Sequence, residues 1–375
     1  QILADGCADM VSLARPLLAD PDFVRKAQEG RGADINTCIA CNQACLDHTF
    51  QLKIASCLVN PRACHETELL LQRAPAKKRY AVVGAGPAGL AAATTLAERG
   101  HEVHLYEAGE RIGGQFNMAK RIPGKEEFHE TLRYFEQRLA AGGVQLHLAT
   151  RADAATLAAA QFDAVLLATG VSARDPKIPG QDGPNVLSYI DVLLHGKPVG
   201  ERVAIIGAGG IGFDVAELLT HPGDSPDPIA AYREEWGIDA AYTDNRGGLT
   251  PARMPAPVRE LWLLQRKTGK LGAGLAKTTG WARSLLLKKR GVHMLGGVEY
   301  VGIDDAGLHI RVDGQDRLLE VDTVVLCAGQ EPRRELAEGL TAAGTPFTLV
   351  GGADVAAELD AKRAIWQATE FARQF

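Results

Sequence analysis

The chain has 375 residues, of which 46% are hydrophobic and 23% charged, a composition typical of a globular protein with two or three domains. A formal net charge of −5 argues against nucleic-acid binding, which depends on a basic surface. The most apolar window, residues 81–97, contains Gly, Pro and Thr and carries a nucleotide-binding motif, so we predict no membrane span. Four of the seven cysteines are closely spaced, which favours a reducing compartment, and we expect a cytoplasmic protein.

Residues 1–35 are predicted to be the C-terminal remnant of a (β/α)8 barrel. Residues 8–14 form an apolar run typical of a buried strand, and Arg15 follows it directly. Such barrels bind ligand phosphates at the C-terminal ends of their strands, which makes Arg15 a candidate phosphate ligand. A surface arginine in a strand–helix turn is the alternative interpretation. One strand cannot close a barrel, so most of that domain would lie outside this chain.

Four cysteines within residues 36–78 have the spacing of an iron–sulfur site. Cys38, Cys41, Cys45 and Cys57 are separated by two, three and eleven residues. Iron–sulfur clusters are held by four thiolates, and short gaps allow one loop to reach several corners of the cluster. Structural zinc usually has two separated pairs of ligands, and disulfides are typical of secreted proteins. We therefore predict a [4Fe–4S] cluster, with zinc and unligated thiols as the alternatives.

The three other cysteines are predicted to have different roles. Cys64 lies near the cluster motif and could compete as a ligand, although we expect a free thiol. Cys7 and Cys327 fall within apolar strand patterns and are expected in the core.

An internal repeat predicts two dinucleotide-binding domains. Residues 79–89 and 202–212 each combine a strand, a GxGxxG turn and the start of an apolar helix, and each repeat ends in a similar strand, at residues 162–170 and 321–329. The first glycine allows a tight turn, the second lets the backbone approach a pyrophosphate, and the third lets helix and strand pack. Two such motifs, each directly after a strand, are far more specific than one. The glycines are Gly84, Gly86 and Gly89 in the first motif and Gly207, Gly209 and Gly212 in the second.

The two repeats differ at the end of their second strand. In the first repeat Glu107 ends this strand, where an acid accepts hydrogen bonds from the ribose diol of adenosine. In the second repeat the matching strand, residues 261–264, is followed by Gln265, Arg266 and Lys267. Arginine and lysine in place of the acid would attract a 2′-phosphate. The second domain is therefore predicted to bind NADPH.

The second repeat also contains an insertion and a basic stretch. Residues 221–257 carry six prolines and are expected to be an irregular excursion. Residues 261–290 hold eight Lys or Arg and no acid. This stretch indicates either a solvated helix face or a docking face for anionic cofactors or a neighbouring domain.

The C-terminal residues have the pattern of the closing strand and helix of a flavin domain. Asp354 precedes a helix predicted over residues 360–375. Its carboxylate could bond the ribityl chain of a flavin, with the helix N-terminus near the pyrimidine ring. Alternatively, Asp354 is the N-cap of this helix.

Over its whole length the chain resembles the C-terminal part of bacterial NADPH-dependent 2,4-dienoyl-CoA reductases, iron–sulfur flavoenzymes of the old yellow enzyme and trimethylamine dehydrogenase family. The cysteine spacing marks this wider family. The runs IPGKEEF at residues 122–128, KTTGW at residues 277–281 and AGQEP at residues 328–332 point to the dienoyl-CoA reductases. Further matching motifs are Ala14-Arg15-Pro16, Asn60-Pro61 and Gly113-Gly114-Gln115-Phe116.

The resemblance implies an electron relay for the reduction of unsaturated fatty acyl-CoA in β-oxidation. NADPH on the second domain would reduce FAD on the first, and electrons would pass singly through the cluster to an FMN in the barrel. The implied FAD contacts are Gly84, Gly86, Ala88, Gly89, Glu107, Gly114, Gln115, Lys125, the backbone at Ala152, and Asp354. The implied NADPH contacts are Gly207, Gly209, Gly212, Arg266 and Lys267, and Arg15 would bind the FMN phosphate. Acyl-CoA would bind only through the barrel, so we expect no dienoyl-CoA turnover by this chain alone.

The predicted architecture is α/β, with two Rossmann-like domains of the glutathione-reductase type, one inserted in the other. The FAD domain comprises residues 79–196 and 329–375, and the NADPH domain residues 197–328. Two other hypotheses remain open. The chain could be an electron-transfer subunit that feeds a separate partner, or a non-enzymatic nucleotide-binding redox sensor with a structural cluster.

Overall fold

The computed structural model describes residues 2–242, 247–357 and 360–375. The α-helices are α1 (Arg15–Ala19), α2 (Phe23–Gln28), α3 (Leu46–Thr49), α4 (Pro87–Glu98), α5 (Phe116–Ala119), α6 (Phe128–Ala141), α7 (Ala154–Ala159), α8 (Tyr189–Leu193), α9 (Gly210–Thr220), α10 (Pro228–Trp236), α11 (Gly280–Lys289), α12 (Ala337–Ala342) and α13 (Ala361–Ala372). The strands are β1 (Arg79–Val83), β2 (Glu102–Tyr106), β3 (Gln145–His147), β4 (Ala164–Leu167), β5 (Val171–Ala173), β6 (Val186–Ser188), β7 (Arg202–Ile206), β8 (Glu260–Leu264), β9 (His293–Leu295), β10 (Glu299–Asp304), β11 (Gly307–Val312), β12 (Gln315–Leu319), β13 (Thr323–Leu326), β14 (Gln330–Pro332) and β15 (Phe347–Leu349). Within these ranges, none of the helices combines the length and the apolar character needed to cross a membrane.

The chain divides into two compact units. The first unit comprises Gln1–Lys120, Gly124–Ser172 and Gln330–Phe375, and the second comprises Arg121–Pro123 and Ala173–Gly329. Each unit contains its own parallel sheet, so the predicted α/β fold class is confirmed.

The first unit is built on a parallel sheet with the strand order β15-β4-β1-β2-β3. Its central strand β1 is buried on both faces. Tyr80 and Val82 pack in one hydrophobic cluster with helices α4 and α13, whereas Ala81 and Val83 pack in another cluster with residues of α7 and α12. A parallel strand covered by helices on both faces needs a nearly continuous apolar sequence, which explains the pattern of β1 and β4.

The second unit repeats this arrangement with the strand order β6-β13-β7-β8-β9, all parallel. In both sheets the strand before the glycine turn lies between the closing strand and the second strand, which confirms the predicted repeat. A separate antiparallel sheet, β10-β11-β12, completes the unit. Residues 173–196, which are predicted to belong to the FAD domain, lie in the second unit, where β6 pairs with β13.

The N-terminal region does not form the strand predicted at residues 8–14. These residues have no regular structure and are exposed, with Met10 at 81% exposure. A strand is stable only when neighbouring strands satisfy its backbone, and none of the described strands pairs with this segment. For the same reason Cys7, predicted in the core, is exposed, whereas Cys327 is buried as predicted.

The proline-rich insertion is not wholly irregular, contrary to expectation. It contains α10, whose N-cap Asp227 accepts a hydrogen bond from the backbone N–H of Ala230 at 2.9 Å. Pro228 occupies the first turn, where a missing N–H costs no helical hydrogen bond. Residues 243–246 of the insertion lie outside the described residues.

Two glycines of α9 provide a matched test of this packing. A Cβ at Gly212 would lie 1.8 Å from the carbonyl oxygen of Gly207, whereas a Cβ at Gly210 would meet nothing within 4 Å. We expect Gly212→Ala to lower the free energy of unfolding by about 1–3 kcal/mol, as overpacking does, and Gly210→Ala to change it by less than about 0.5 kcal/mol. Denaturant unfolding of the two variants measures this difference, and equal stabilities would contradict the packing described.

Candidate cofactor sites

The first glycine turn joins β1 to α4. Gly84 has a φ of 102°, and a Cβ there would lie 2.4 Å from the carbonyl oxygen of Ala168, so the closing strand lies directly against the turn. A Cβ at Gly89 would lie 1.8 Å from the carbonyl oxygen of Gly84. By contrast, a Cβ at Gly86 would have its nearest neighbour at 3.9 Å, the Cα of Gly114. The middle glycine is therefore open to a ligand, as pyrophosphate binding requires.

Glu107 lies at the carboxyl end of β2, beside this turn. Its Oε2 accepts a hydrogen bond from the backbone N–H of Ala85, and its Oε1 accepts one from Gly109, both at 2.8 Å. Its own backbone N–H donates to the carbonyl of His147 at 2.9 Å, and its carbonyl accepts from Thr150 at 2.8 Å. The carboxylate is thus fixed between the turn and the next loop. Each of its oxygens keeps a further lone pair, which suits a ribose diol.

Asp354 lies in a short turn, residues 351–354, that precedes α13. The amide of Gln367 binds both ends of this turn, because its Oε1 accepts from the N–H of Gly351 at 2.8 Å and its Nε2 donates to Asp354 Oδ2 at 2.6 Å. The interpretation of Asp354 as a helix N-cap is wrong, since Asp360 caps α13. The contact of Asp354 with a flavin stays a prediction.

Two other predicted FAD contacts lie near the first turn. A Cβ at Gly114 would lie 2.9 Å from the Cα of Gly86, so these two backbone segments touch. Gln115 follows directly, and its Oε1 accepts a hydrogen bond from Gln330 Nε2 at 3.3 Å. The fold therefore brings Gly114 and Gln115 close to the first glycine turn.

The last three predicted FAD contacts have different surroundings. Ala88 is buried at the start of α4, and a Cβ at Gly351 would lie 2.8 Å from its Cβ. Ala152 packs against the hydrophobic cluster of α7 and α12, and Lys125 is half-buried. Their contacts with FAD stay predictions.

The second glycine turn, between β7 and α9, repeats the geometry of the first. A Cβ at Gly207 would lie 2.3 Å from the carbonyl oxygen of Cys327, and one at Gly212 would lie 1.8 Å from the carbonyl oxygen of Gly207. A Cβ at Gly209 would meet nothing within 4 Å. In both turns the first and third glycines have no room for a side chain, whereas the middle glycine has space beside it. This arrangement fits a dinucleotide at each turn.

The loop after β8 carries the predicted 2′-phosphate ligands. Arg266 and Lys267 are exposed in this loop. The residue equivalent to Glu107, however, is Gln265, because it too follows the last residue of the second strand. Its N–H donates to the carbonyl of Leu295, the last residue of β9, at 3.0 Å. A neutral amide thus occupies the position of the acid, and the two cations follow it.

Part of the basic stretch is neither solvated nor free to dock a ligand. Arg283 of α11 donates to Asp214 at 2.5 Å and to Glu217 at 2.6 Å, both in α9. Burial lowers the pKa of Arg283, but the two carboxylates outweigh this effect and raise it. Arg290 is buried as well and pairs with Glu235 at 3.0 Å. The spacing of Asp214 and Glu217 places both acids on one face of α9, but the sequence does not show that Arg283 faces them.

The four predicted cluster cysteines surround one cavity in the first unit. The cavity is lined by Cys38, Cys41, Cys45 and Cys57, together with Arg15 and neighbouring residues. Ala40 and Asn42 have φ values of 52° and 60°, so the residues on each side of Cys41 adopt the left-handed conformation. The N–H of Ser56 donates to the carbonyl of Ala44 at 2.7 Å, which brings the fourth cysteine to the loop of the other three.

Two of these thiols have strongly raised pKa values. Burial raises the pKa of Cys41 to about 12, although a backbone hydrogen bond from Gln43 lowers it. Burial raises the pKa of Cys57 to about 11, against backbone hydrogen bonds from Val59 and Asn60. A bare thiolate is costly here, whereas a metal centre would compensate its charge. Backbone N–H groups directed at the sulfurs are also a feature of iron–sulfur sites.

The thiols do not converge on a single point. Among the described residues, no three His, Cys, Asp or Glu side chains form a group that could hold one metal ion. A zinc ion needs its sulfur ligands at about 2.3 Å from one centre. The cluster and the zinc alternative therefore both stay predictions.

Arg15 lies at the cysteine loop. Its Nη1 donates to Asn42 Oδ1 at 2.6 Å, and its side chain lines the same cavity as the thiols. No other phosphate-binding group of a barrel is identified beside it in the described residues, so its contact with FMN stays a prediction.

Polar contacts anchor the cysteine segment to the first unit. Arg133 of α6 donates to the carbonyl of Ile35 at 2.8 Å and to the hydroxyl of Thr37 at 3.2 Å. At the other side, His48 Nε2 lies 3.2 Å from Lys362 Nζ, at the start of α13. The segment is therefore held to helices that surround the first glycine turn.

Comparison with known proteins agrees with this geometry. The model of the pyridine nucleotide-disulphide oxidoreductase family matches residues 78–368, and the chain belongs to this family. The chain is 31% identical over 356 residues to a metal reductase of Desulforamulus reducens, covering 94% of this chain and 52% of the relative. It is 34% identical over 361 residues to an NADH oxidase of Thermoanaerobacter brockii, covering 94% of this chain and 50% of the relative.

The solved structure of a 2-naphthoyl-CoA reductase in complex with 2-naphthoyl-CoA is also similar, with a TM-score of 0.85 and 27% identity over the whole chain and 52% of that protein. The chain thus spans about half the length of these relatives. It is an oxidoreductase module of the type that uses FAD and a nicotinamide nucleotide. The cluster, the dienoyl-CoA specificity and the individual cofactor contacts stay predictions.

Replacing one cysteine at a time tests the cluster assignment. We expect Cys57→Ser to lose most of its iron and acid-labile sulfide, because a cubane needs its fourth thiolate. Cys64→Ser is the matched control, since Cys64 is exposed and does not line the cavity. Iron and sulfide analysis of anaerobically prepared proteins measures both. Zinc without iron in the parent protein would contradict the assignment.

Proposed function

We propose that the chain is the NADPH-oxidising module of an iron–sulfur flavoenzyme of the 2,4-dienoyl-CoA reductase type. FAD binds the first unit, NADPH binds the second, and a [4Fe–4S] cluster is held by the four cysteines. When bound, these groups would carry electrons from NADPH, one at a time after the flavin, towards an FMN-containing barrel that reduces an unsaturated acyl-CoA. The observation that carries this proposal is the single cavity formed by all four thiols.

The common cavity of the four cysteines suits a cluster. A cluster is bound at its corners, so its ligands surround a space instead of meeting at one point. The four cysteines line one such space. Burial raises the pKa of Cys41 and Cys57, so a cluster bound here would have to compensate the charge of both thiolates.

An exposed apolar surface beside the cysteines is a candidate exit for electrons. Phe50, Leu52 and Ile54 follow the cysteine loop and are 65%, 97% and 63% exposed. Contiguous exposed apolar side chains mark docking surfaces. We infer that a barrel domain covers this surface, so that the cluster lies between the two flavins.

The acyl-CoA assignment rests on the sequence runs IPGKEEF, KTTGW and AGQEP together with the similarity to a 2-naphthoyl-CoA reductase. Both the resemblance and this relative involve thioesters of coenzyme A. The substrate class is therefore proposed as an unsaturated acyl-CoA.

A second candidate is an electron-transfer module that serves a different acceptor. The two relatives matched over 94% of the chain are a metal reductase and an NADH oxidase, and neither name includes an acyl-CoA. Such a module would keep the same nucleotide sites and the same cluster. Only the partner that receives the electrons would differ.

Acceptor assays separate these candidates. We expect the chain to oxidise NADPH with ferricyanide but to leave 2,4-dienoyl-CoA unreduced, because the described residues contain no closed barrel that could hold FMN and substrate. Adding a separately produced FMN-binding barrel should restore dienoyl-CoA reduction. Turnover of dienoyl-CoA by the chain alone would contradict the proposal, and reduction of ferric ion in place of dienoyl-CoA with the barrel present would favour the second candidate.

The nucleotide preference is tested at the loop after β8. We expect Arg266→Ala to lower the kcat/KM ratio of NADPH over NADH by about 10- to 100-fold, since a hydrogen bond to a charged group contributes about 1.5–3 kcal/mol. Arg317→Ala, at an exposed arginine on β12, is the control and should leave the ratio unchanged. An unchanged ratio in Arg266→Ala and in Lys267→Ala would show that the preference lies elsewhere.

A further inference from the structure

Gln265 and Glu107 occupy the same position in the two sheets. Each is the first residue after the second strand, and each donates its N–H to the last residue of the third strand. The carbonyl of Gln265 accepts a hydrogen bond from Val298 at 3.0 Å, just as the carbonyl of Glu107 accepts one from Thr150 at 2.8 Å. The two positions thus make matching backbone hydrogen bonds, and their side chains differ.

The amide of Gln265 turns towards its own loop. Its Nε2 donates one hydrogen to the carbonyl of Lys267 at 3.0 Å and the other to the carbonyl of Gly269 at 3.2 Å. A carboxylate has no hydrogen to donate, so glutamate could not make these contacts. The carboxylate of Glu107, in contrast, only accepts hydrogen bonds, from the glycine turn and the following loop.

The backbone at Gly296 and Gly297 also contacts the loop. The N–H of Gly297 donates to the carbonyl of Lys267 at 3.0 Å. A Cβ at Gly296 would lie 3.1 Å from the carbonyl oxygen of Gly269, 3.2 Å from that of Lys267 and 3.5 Å from Gln265 Nε2. The carbonyl of Lys267 thus accepts hydrogen bonds from both the Gln265 amide and the Gly297 backbone, which fixes the segment that bears the two cations.

We propose that Gln265 is a specificity-determining and positioning residue of the nicotinamide-nucleotide site. It replaces the ribose-binding acid with a neutral group, and its amide holds the loop so that Arg266 and Lys267 face a 2′-phosphate. This proposal rests on the proposed NADPH preference of the second unit.

Two substitutions separate the contributions of charge and of loop geometry. Gln265→Leu keeps the size and neutrality of the side chain but loses both hydrogen bonds to the loop. Gln265→Glu loses the same hydrogen bonds and adds a negative charge, which repels the loop carbonyls and a 2′-phosphate. Gln315→Leu and Gln315→Glu, at an exposed glutamine of β12, are the matched controls.

The experiment measures ferricyanide-coupled kinetics with NADPH and NADH, together with inhibition by 2′,5′-ADP and by 5′-AMP. For Gln265→Leu we expect the KM for NADPH and the inhibition constant of 2′,5′-ADP to rise at least about fivefold, with kcat and the values for NADH and 5′-AMP unchanged. For Gln265→Glu we expect the ratio of kcat/KM for NADPH to kcat/KM for NADH to fall at least about a hundredfold. The Gln315 variants should match the parent protein.

Three results would overturn the proposal, and each has a distinct meaning. If the Gln265 variants keep the parental ratio while Arg266→Ala lowers it, Gln265 has no role but the NADPH assignment stands. If Arg266→Ala also keeps the ratio, both the NADPH assignment and the role of Gln265 fail. If Gln265→Leu weakens NADPH and NADH equally, Gln265 only stabilises the fold.

Discussion

Both sheets depend on a backbone contact that excludes any side chain. In each glycine turn the carbonyl oxygen of the first glycine lies against the third glycine. A Cβ added at Gly89 or at Gly212 would be only 1.8 Å from this oxygen. This contact places the N-terminus of a helix at the carboxyl end of the central strand. The middle glycine then remains open, so that backbone N–H groups and the helix dipole can face a pyrophosphate.

The same scaffold is specialised by a few side chains around the turn. Glu107 accepts hydrogen bonds from the first turn, whereas Gln265 donates hydrogen bonds to the loop beside the second. In the first unit, the cysteine segment contacts helices next to the glycine turn through Arg133 and His48. A candidate dinucleotide site and four half-buried thiols therefore belong to one compact unit, as electron transfer from a flavin to a cluster requires.

The sequence predicts well the features that depend on local pattern. The strands, both glycine turns and the burial of Cys327 follow from apolar runs and glycine spacing, and the structure confirms them. Residues 8–14 also form an apolar run, but whether it becomes a strand depends on neighbours elsewhere in the chain, and none of the described strands pairs with it. The contacts of Arg283 and Gln265 depend on register between distant segments, which no local pattern contains.

The central claim is that NADPH, a flavin and a cluster exchange electrons within this chain. Anaerobic titration of the holoprotein with NADPH, followed by absorption and electron paramagnetic resonance, tests this claim most directly. The account predicts uptake of about three electrons per chain, two by the flavin and one by the cluster, with a paramagnetic signal of the reduced cluster. Uptake of about two electrons, with bleaching of the flavin and no cluster signal, would contradict it.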